Sequence, residues 1–439
     1  MLKHFFYIMD MYRRILKELE QWRVSKRRKP LVLWGARQTG KTWAMKRFGA
    51  DRFENVVYVS FYNNRRIAEI FDRDYDVRRI LNALEIELHV KISPESTLLI
   101  FDEIQAAPKV LESLKYFCED AREYPVVAAG SLLGVALHEG VSFPVGKVDE
   151  LRLHPMSFGE FLLAMDEPRL AEYIKEPSRP ENTDFAERFR ELLRLYYFVG
   201  GMPEAVENFR TNRDFDLCRE IQNSILNQYE GDFGKHIAPK DIARVHLAWN
   251  ALPVQLAKEN KKFFFGQVKS GARMKDFETA LQWLQDAGIT HKVNAVSKPG
   301  IPLKSYVDFS AFKIYMLDVG LLCAKSEVVK SSILNGNEIF TEFKGALTEQ
   351  FVLQELVAET KYTPFYYSGE KSTYEVDFII QKEGGIVPVE VKAEENLKAK
   401  SLKFFCEKFA PKKAIRLSMS TYREQEWMTN IPLWCAGGI

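Results

Sequence analysis

Leu31-Val32-Leu33-Trp34 runs directly into Gly35-Ala36-Arg37-Gln38-Thr39-Gly40-Lys41-Thr42, an apolar strand pattern followed by G-x-x-x-x-G-K-T. These residue types suit wrapping a backbone around a polyphosphate. Gly35 and Gly40 let the chain turn tightly enough for successive N–H groups of residues 35–42 to face an anion. Lys41 would reach the β- and γ-phosphates of ATP, and the Thr42 hydroxyl would ligate Mg²⁺. The run Trp43–Phe48 is expected to be a helix whose N-terminal dipole end faces the phosphates. The other half of such a site is Thr97-Leu98-Leu99-Ile100-Phe101-Asp102-Glu103, a buried parallel strand delivering two carboxylates to its C-terminal edge. Asp102 would hold Mg²⁺ through water, and Glu103 would polarise the attacking water, a pattern suited to hydrolysis rather than storage. A third strand, Val126–Ala129, leads to Ser131, placed to sense the γ-phosphate or, equally, to cap a helix over 132–137.

A second constellation lies near the C-terminus. Glu342–Ala358 reads as a helix in which Glu349 sits among Ala346, Leu353 and Leu356, and a carboxylate on an apolar face needs a partner or a task. Tyr374–Ile380 and Ile386–Lys392 read as two strands joined by Gln381–Gly385. Glu390 and Lys392 share a face. A two-residue turn at Glu383-Gly384 sets Asp377 opposite Glu390, and one at Gly384-Gly385 sets it opposite Lys392; both gather all three on one face. Two acids and a lysine, with an inward Glu349, would form a divalent-metal site with a cation to steady an attacking water. The same residues also suit charged positions on an edge hairpin.

Several strings carry a resemblance. Gly-Ala-Arg-Gln-Thr-Gly-Lys-Thr at 35–42, Phe-Asp-Glu-Ile-Gln at 101–105 and Ala-Gly-Ser-Leu-Leu-Gly at 129–134 resemble AAA+ ATPases of bacteria and archaea. So do His154–Phe161, Gly200–Ala205 and Phe312–Leu322, which point to the subgroup with a C-terminal domain of unknown function. The subgroup usually has Gly-Arg where this chain has Gly146-Lys147, so no arginine role falls at 147; a lysine lacks the arginine fork. The order Glu349, Asp377, Glu390-Val391-Lys392 is similar to nucleases of the PD-(D/E)xK superfamily, with Val376 in place of the proline. That resemblance implies Asp377 and Glu390 as metal ligands, Lys392 as the catalytic lysine and Glu349 as the helical acid, or a fold retained without cleavage.

The elements that must position these groups follow from the pattern. Tyr12–Trp22 reads as an amphipathic helix ending in the basic run Arg23–Lys29. Strands at 31–34, 56–60, 97–101, 126–129 and 148–153 alternate with helical stretches, an α/β fold with a doubly wound parallel sheet. Met165–Thr183, with three prolines, reads as a poorly ordered connection, and Phe185–Leu256 as helical. A turn at Gly266–Ala272, a helix at Met274–Ala287 and strands at Ile289–Val296 and Lys304–Val307 around Pro299-Gly300 give a winged-helix signature. Lys269, Arg273, Lys275, Lys292 and Lys298 would lie on its turn, second helix and wing, where duplex DNA could dock. Lys398, Lys400, Lys403, Lys408, Lys412 and Lys413 form another basic group near the C-terminal constellation.

With 439 residues, 46% hydrophobic and 28% charged, the chain is expected to hold three domains, 1–165, 166–330 and 331–439. The 62 basic and 60 acidic residues nearly cancel, so net charge says nothing of partners. Five scattered cysteines argue against a zinc site or disulfide framework and for a reducing cytoplasm. No apolar run nears the roughly 20 residues of a membrane span, and Phe5–Met9 is short for a signal sequence. The resulting expectation is a cytoplasmic ATP- and Mg²⁺-dependent AAA+ ATPase, open to homo-oligomerisation, acting on DNA through a nuclease-like domain coupled to the nucleotide state. The competing reading is a nucleotide-gated DNA- or protein-binding switch whose last domain is a silent docking platform.

Overall fold

Alternate residues of the N-terminal strands face opposite ways, and both faces are apolar. The computed structural model describes residues 11–439 except 132, 137–141, 259, 335–340, 370–373 and 395–398, so Phe5–Met9, Lys398 and both ends of the expected 132–137 helix lie outside the described residues. The strands are β1 (Leu31–Trp34), β2 (Asn55–Ser60), β3 (Thr97–Asp102), β4 (Val126–Ala129) and β5 (Asp149–Arg152), all parallel in the order β2-β3-β4-β1-β5. Val32, Leu99, Phe101, Val126 and Ala128 pack one layer, and Leu31, Leu33, Leu98, Ile100, Val127 and Ala129 the other. That two-sided burial is why these strands read as continuous apolar runs. Edge strand β5 has charges at three of four positions and is half exposed. Helices Ile15–Val24 and Lys41–Arg52 cover one face through Ile15, Leu19, Trp22, Ala44, Met45 and Phe48. This α/β unit spans Arg13–His154 with Asp286–Gly288; Pro155–Gln285 and Ile289–Ile439 build a second compact unit.

In the second unit the expected loose connection at 165–183 is helical. Pro168–Tyr173 and Glu181–Asp184 form short helices, with Leu170, Ala171 and Asn182 buried. Asn182 Nδ2 donates to Tyr173 O at 3.0 Å and to Glu176 O at 2.9 Å. Pro168 occupies the first helical position and Pro180 the N-cap, places where proline starts a helix instead of breaking one. Longer helices follow at Ala186–Val199, Pro203–Asn212, Phe215–His236 and Pro239–Leu256.

The expected winged-helix elements are present in altered form. The second helix is Met274–Asp286, and the hairpin is β6 (Thr290–Val296) with β7 (Val307–Met316). Lys304 lies in a helical turn, Leu303–Tyr306, instead of a strand. The hairpin does not stand free. It ends an eight-stranded sheet ordered β12-β13-β11-β10-β9-β8-β6-β7, joining β8 (Phe365–Ser368) at the pair Ala295 and Tyr366. The other strands are β9 (Glu375–Lys382), β10 (Gly385–Val391), β11 (Ile415–Ser418), β12 (Arg423–Glu424) and β13 (Thr429–Pro432). Lys382 pairs with Gly385 and Phe378 with Val389, so the turn is Glu383-Gly384 and Asp377 falls opposite Glu390. Gly384 takes φ +77, the left-handed conformation such a tight turn needs.

The helix Thr341–Glu359 packs on this sheet and ties together three of the strings singled out in the sequence. Gln350 exchanges two hydrogen bonds with the Met316 backbone, accepting at 2.9 Å and donating at 2.7 Å. Gln354 accepts from the Val319 N–H (2.9 Å) and donates to Asp318 (3.1 Å) and the Tyr196 hydroxyl (2.8 Å). Asp318 accepts from the Gly201 N–H at 2.6 Å and the Leu321 N–H at 2.9 Å, and Glu355 accepts from the Phe158 N–H at 2.7 Å. The glycines allow this approach: a Cβ on Gly200 would lie 2.3 Å from Asp318 Oδ1, and one on Gly201 2.1 Å from Met156 O. His154–Phe161, Gly200–Ala205 and Phe312–Leu322 thus meet as a buried polar joint, satisfied internally.

Candidate functional site

The loop after β1 has the shape of an anion cradle. Gly35 adopts φ +154, Gln38 +65 and Gly40 +92, and Gly40 caps the Lys41–Arg52 helix at its N-terminus. Gly35 has no room for a side chain, since a Cβ would come within 2.5 Å of Leu153 O. Thr39 is buried and its hydroxyl donates to Ala36 O at 2.9 Å. Lys41 is buried, and its ammonium rests on the carbonyls of Gly35 (2.9 Å) and Ala36 (2.8 Å) inside the loop. Burial lowers its pKa to about 8, against the pull of Glu103 and Asp102, and Arg37 adds to the fall.

The acidic half converges on the same place. Thr42 Oγ1 donates to Asp102 Oδ2 at 2.6 Å, and the Tyr58 hydroxyl donates to the same oxygen at 3.1 Å. Burial, with the Asp102 carboxylate beside it, pushes the Tyr58 hydroxyl up to about 12. A hydroxyl next to a carboxylate at a glycine-lined loop is a donor set that fits Mg²⁺ carried by a nucleotide, with Thr42 and Asp102 as its protein partners. Glu103 follows with φ +56; its Oε2 accepts from Gln105 Nε2 and from the Ser131 hydroxyl at 3.1 Å. Arg37 Nε donates to Ser131 Oγ at 3.4 Å, so Arg37, Ser131, Glu103 and Gln105 form one chain of polar contacts. Lys147 is not in it; its ammonium pairs with Glu119 at 2.7 Å.

Sequence reasoning missed three residues here. Gln105 holds Glu103 and packs against Gly130, where a Cβ would lie 2.5 Å from its Oε1. Tyr58 reaches Asp102 from the neighbouring strand. Arg13, buried, donates to Thr39 O at 2.9 Å and to His154 O at 2.7 Å, tying the phosphate loop to the segment after β5. Gln105 was within reach, as it belongs to the Phe-Asp-Glu-Ile-Gln string; Arg13 had no signal, because backbone carbonyls carry no residue code.

The C-terminal residues also gather, though in ion pairs. Glu349 is buried; Lys261 Nζ meets its Oε1, while its Oε2 accepts from the Tyr315 hydroxyl at 3.1 Å and lies 3.6 Å from Lys313 Nζ. Lys313, wholly buried, lies 2.6 Å from Glu375 Oε1. Lys392 pairs with Glu390 at 2.7 Å, and Asp377 Oδ2 accepts from the Val391 N–H at 2.7 Å. Burial raises the Glu349 carboxyl, yet Lys261 and Lys313 outweigh it and hold it well below the usual carboxylate range. Burial, with Glu349 and Glu390 close by, pushes Asp377 far up. Among the described residues no group of three or more His, Cys, Asp or Glu side chains is placed to hold a metal ion. Lysines thus stand among the carboxylates expected at a metal site, Glu349, Asp377 and Glu390.

The expected DNA-facing cations are on the surface. Lys269, Arg273, Lys275 and Lys298 are exposed, whereas Lys292 is half-buried with its ammonium 4.3 Å from the Phe312 ring. In the 23–29 run Arg23 pairs with Glu20 at 2.7 Å and Lys29 Nζ donates to Gly146 O at 2.8 Å. Lys400, Lys403, Lys408, Lys412 and Lys413 are exposed. All five cysteines are free thiols, and among the described residues no helix is long and apolar enough to cross a membrane.

Comparison with known families places the nucleotide-site geometry in a class. Residues 27–162 match the model of the AAA domain, 190–332 a domain of unknown function (DUF8612) and 344–436 a second one (DUF4143). The N-terminal unit is thus an AAA-type P-loop ATPase fold. No curated protein matches the chain. Solved structures similar to it include a Walker-type ATPase of Pyrococcus abyssi, at 15% identity over 72% of this chain and 96% of that one, TM-score 0.45. The Orc1 protein of Aeropyrum pernix in complex with DNA shares 15% over 72% and 91%, TM-score 0.27. Cdc6p of Pyrobaculum aerophilum shares 14% over 75% and 96%, TM-score 0.25.

Proposed function

We propose that the protein binds Mg²⁺–ATP at residues 35–42 and hydrolyses it, with Glu103 orienting the attacking water, Lys41 and Ser131 addressing the γ-phosphate, and Thr42 and Asp102 holding Mg²⁺. The observation that carries this reading is the 2.6 Å contact between Thr42 and Asp102 beside a lysine parked on loop carbonyls. Neutral carbonyls are weak partners for an ammonium, and a phosphate carrying full charge displaces them. Lys41 then swings from the loop to the ligand. Glu103, held by Ser131 and Gln105, needs only to exchange one of these partners for water.

Phosphate release and nucleotide affinity on three proteins test the assignment. Lys41→Ala should lose ATP binding. Glu103→Gln should bind ATP as wild type does and hydrolyse it about 10² times more slowly or worse, because an amide cannot accept the water's proton. Unchanged turnover in Glu103→Gln ends that residue's role.

The nucleotide cycle acts on a partner, and we take duplex DNA as that partner, gripped by the exposed Lys269, Arg273 and Lys275. Of the two readings of the last domain, the silent platform is favoured over a metal-dependent nuclease because Lys313 stands among the carboxylates a metal would need.

A further inference from the structure

We propose that the acid cluster of Glu349, Glu375, Asp377 and Glu390 is closed by lysine ammoniums and takes no divalent cation, so that the C-terminal domain works as a stapled scaffold and not as a metal-dependent hydrolase. A hard cation needs several carboxylate oxygens that converge and are free. Here both oxygens of Glu349 are engaged, by Lys261 on one side and by Tyr315 and Lys313 on the other. Glu375 Oε1 is on Lys313, Asp377 Oδ2 on a backbone N–H and Glu390 Oε1 on Lys392. Glu390 Oε2 is buried without a hydrogen-bond partner, and one such oxygen does not make a coordination sphere.

Charge balance points the same way. Beside Glu390 on the neighbouring strand lies the buried Arg416, its register partner. Lys261, Lys313, Lys392 and Arg416 therefore stand among Glu349, Glu375, Asp377 and Glu390, and burial beside its acidic neighbours pushes Asp377 toward the neutral acid. A divalent ion would add two charges where cations already answer the remaining carboxylates. Lys313 also has nowhere to go. It projects from β7 with no exposed surface, and its ammonium lies 4.9 Å from the Tyr366 ring. A surface lysine could swing away for a metal; this one cannot without opening the sheet's cover.

The staple has a direction along the chain. Lys261 and Lys313 come from the stretch that carries the β6–β7 hairpin, and they clamp Glu349 of the Thr341–Glu359 helix and Glu375 of β9. The hairpin joins the end of the eight-stranded sheet at the pair Ala295 and Tyr366. The ion pairs add adhesion to that backbone contact.

Calorimetry and thermal melting of the full-length, nucleotide-free protein with Mn²⁺ alone test this. Wild type should give no heat and no rise in Tm that Asp377→Asn or Glu390→Gln removes. A Mn²⁺ signal lost in either variant overturns the proposal. Lys313→Met, of similar length and uncharged, should melt several degrees lower and recover part of that on adding Mn²⁺, the recovery vanishing in Lys313→Met with Asp377→Asn. A Lys313→Met protein as stable as wild type would show that the ammonium closes nothing. Should that variant not fold, Lys261→Met carries the same test. Absence of any Mn²⁺ response in the lysine variant that folds would mean that lysine is not what keeps metal out, and would also overturn the inference.

Discussion

ATP affinity should fall as pH rises through the range where Lys41 loses its proton. In the nucleotide-free protein burial lowers this lysine to about 8, well below the ordinary lysine value. Only the ammonium form attracts the phosphates, and a bound polyphosphate raises its pKa again. The free-protein pKa is the depressed one, so binding takes up a proton above pH 8 and affinity is lost on that side. The apparent Kd then scales as one plus the ratio of neutral to charged lysine, a factor of ~1.1 at pH 7 and ~11 at pH 9, so affinity weakens roughly tenfold, or about 1.4 kcal/mol. The terminal phosphate of the nucleotide does not blur the window, because its last proton leaves near pH ~6. Fluorescent-nucleotide titration at several pH values reads the slope, and calorimetry in buffers of different ionisation enthalpy counts the proton. Lys41→Arg stays charged throughout and should bind with a flat profile, whatever its absolute affinity. A flat wild-type profile, or the same slope in Lys41→Arg, refutes the argument.

Other outcomes follow from single contacts. Arg13→Ala removes the charge-assisted hydrogen bond to Thr39 O in the phosphate loop and the one that anchors it to His154 O, each worth about 1.5–3 kcal/mol, so ATP affinity should drop by about tenfold or more; an unchanged Kd in a nucleotide titration would make Arg13 irrelevant to the loop. Asp318→Ala leaves the Gly201 and Leu321 N–H groups and the Gln354 amide without their acceptor, and should cost about 3 kcal/mol or more in urea unfolding; a loss below about 1 kcal/mol would mean the joint bears little. Duplex DNA affinity should fall steeply with salt, and neutralising Arg273 and Lys275 together should flatten the log–log slope by about one unit per lost phosphate contact. If the slope holds in the double variant, the contact belongs elsewhere, with Lys400–Lys413 next in line.

Much of the nucleotide site could be read from the chain because its parts are contiguous and chemically specific. Strands β1, β3 and β4 announce themselves as largely apolar runs buried on both faces, with the functional residues at or just after their C-terminal ends. The C-terminal hairpin was harder. Two turn positions one residue apart both kept Asp377, Glu390 and Lys392 on one face, and only the left-handed Gly384 fixes which residue faces which. The segment at 165–183 was misjudged because prolines were read as breaks where they begin helices. The β6–β7 hairpin suggested a separate wing because its pairing with Tyr366 spans some seventy residues of sequence, a distance no local pattern reports. Lys313 did leave a trace. A lysine between Phe312 and Ile314 in a strand of buried residues must be paired, and Glu349 on an apolar helix face posed the same demand from the other side.

Two buried lysines therefore have opposite meanings, and the difference lies in what they touch. Lys41 rests on two neutral carbonyls, and burial has weakened its hold on its own proton. Any ligand bringing full negative charge offers it a better partner, so the nucleotide-free state is poised to exchange. Lys313 rests on carboxylates, and although burial works against its charge, Glu375 and Glu349 overcome that and bind the proton far more firmly than in a free lysine. A cation can enter there only by displacing that ion pairing. An acid cluster arranged in the order of a metal site becomes one only when its oxygens lack partners of their own. By that criterion the loop at 35–42 is open to chemistry, and the cluster around Glu349 has exchanged chemistry for adhesion.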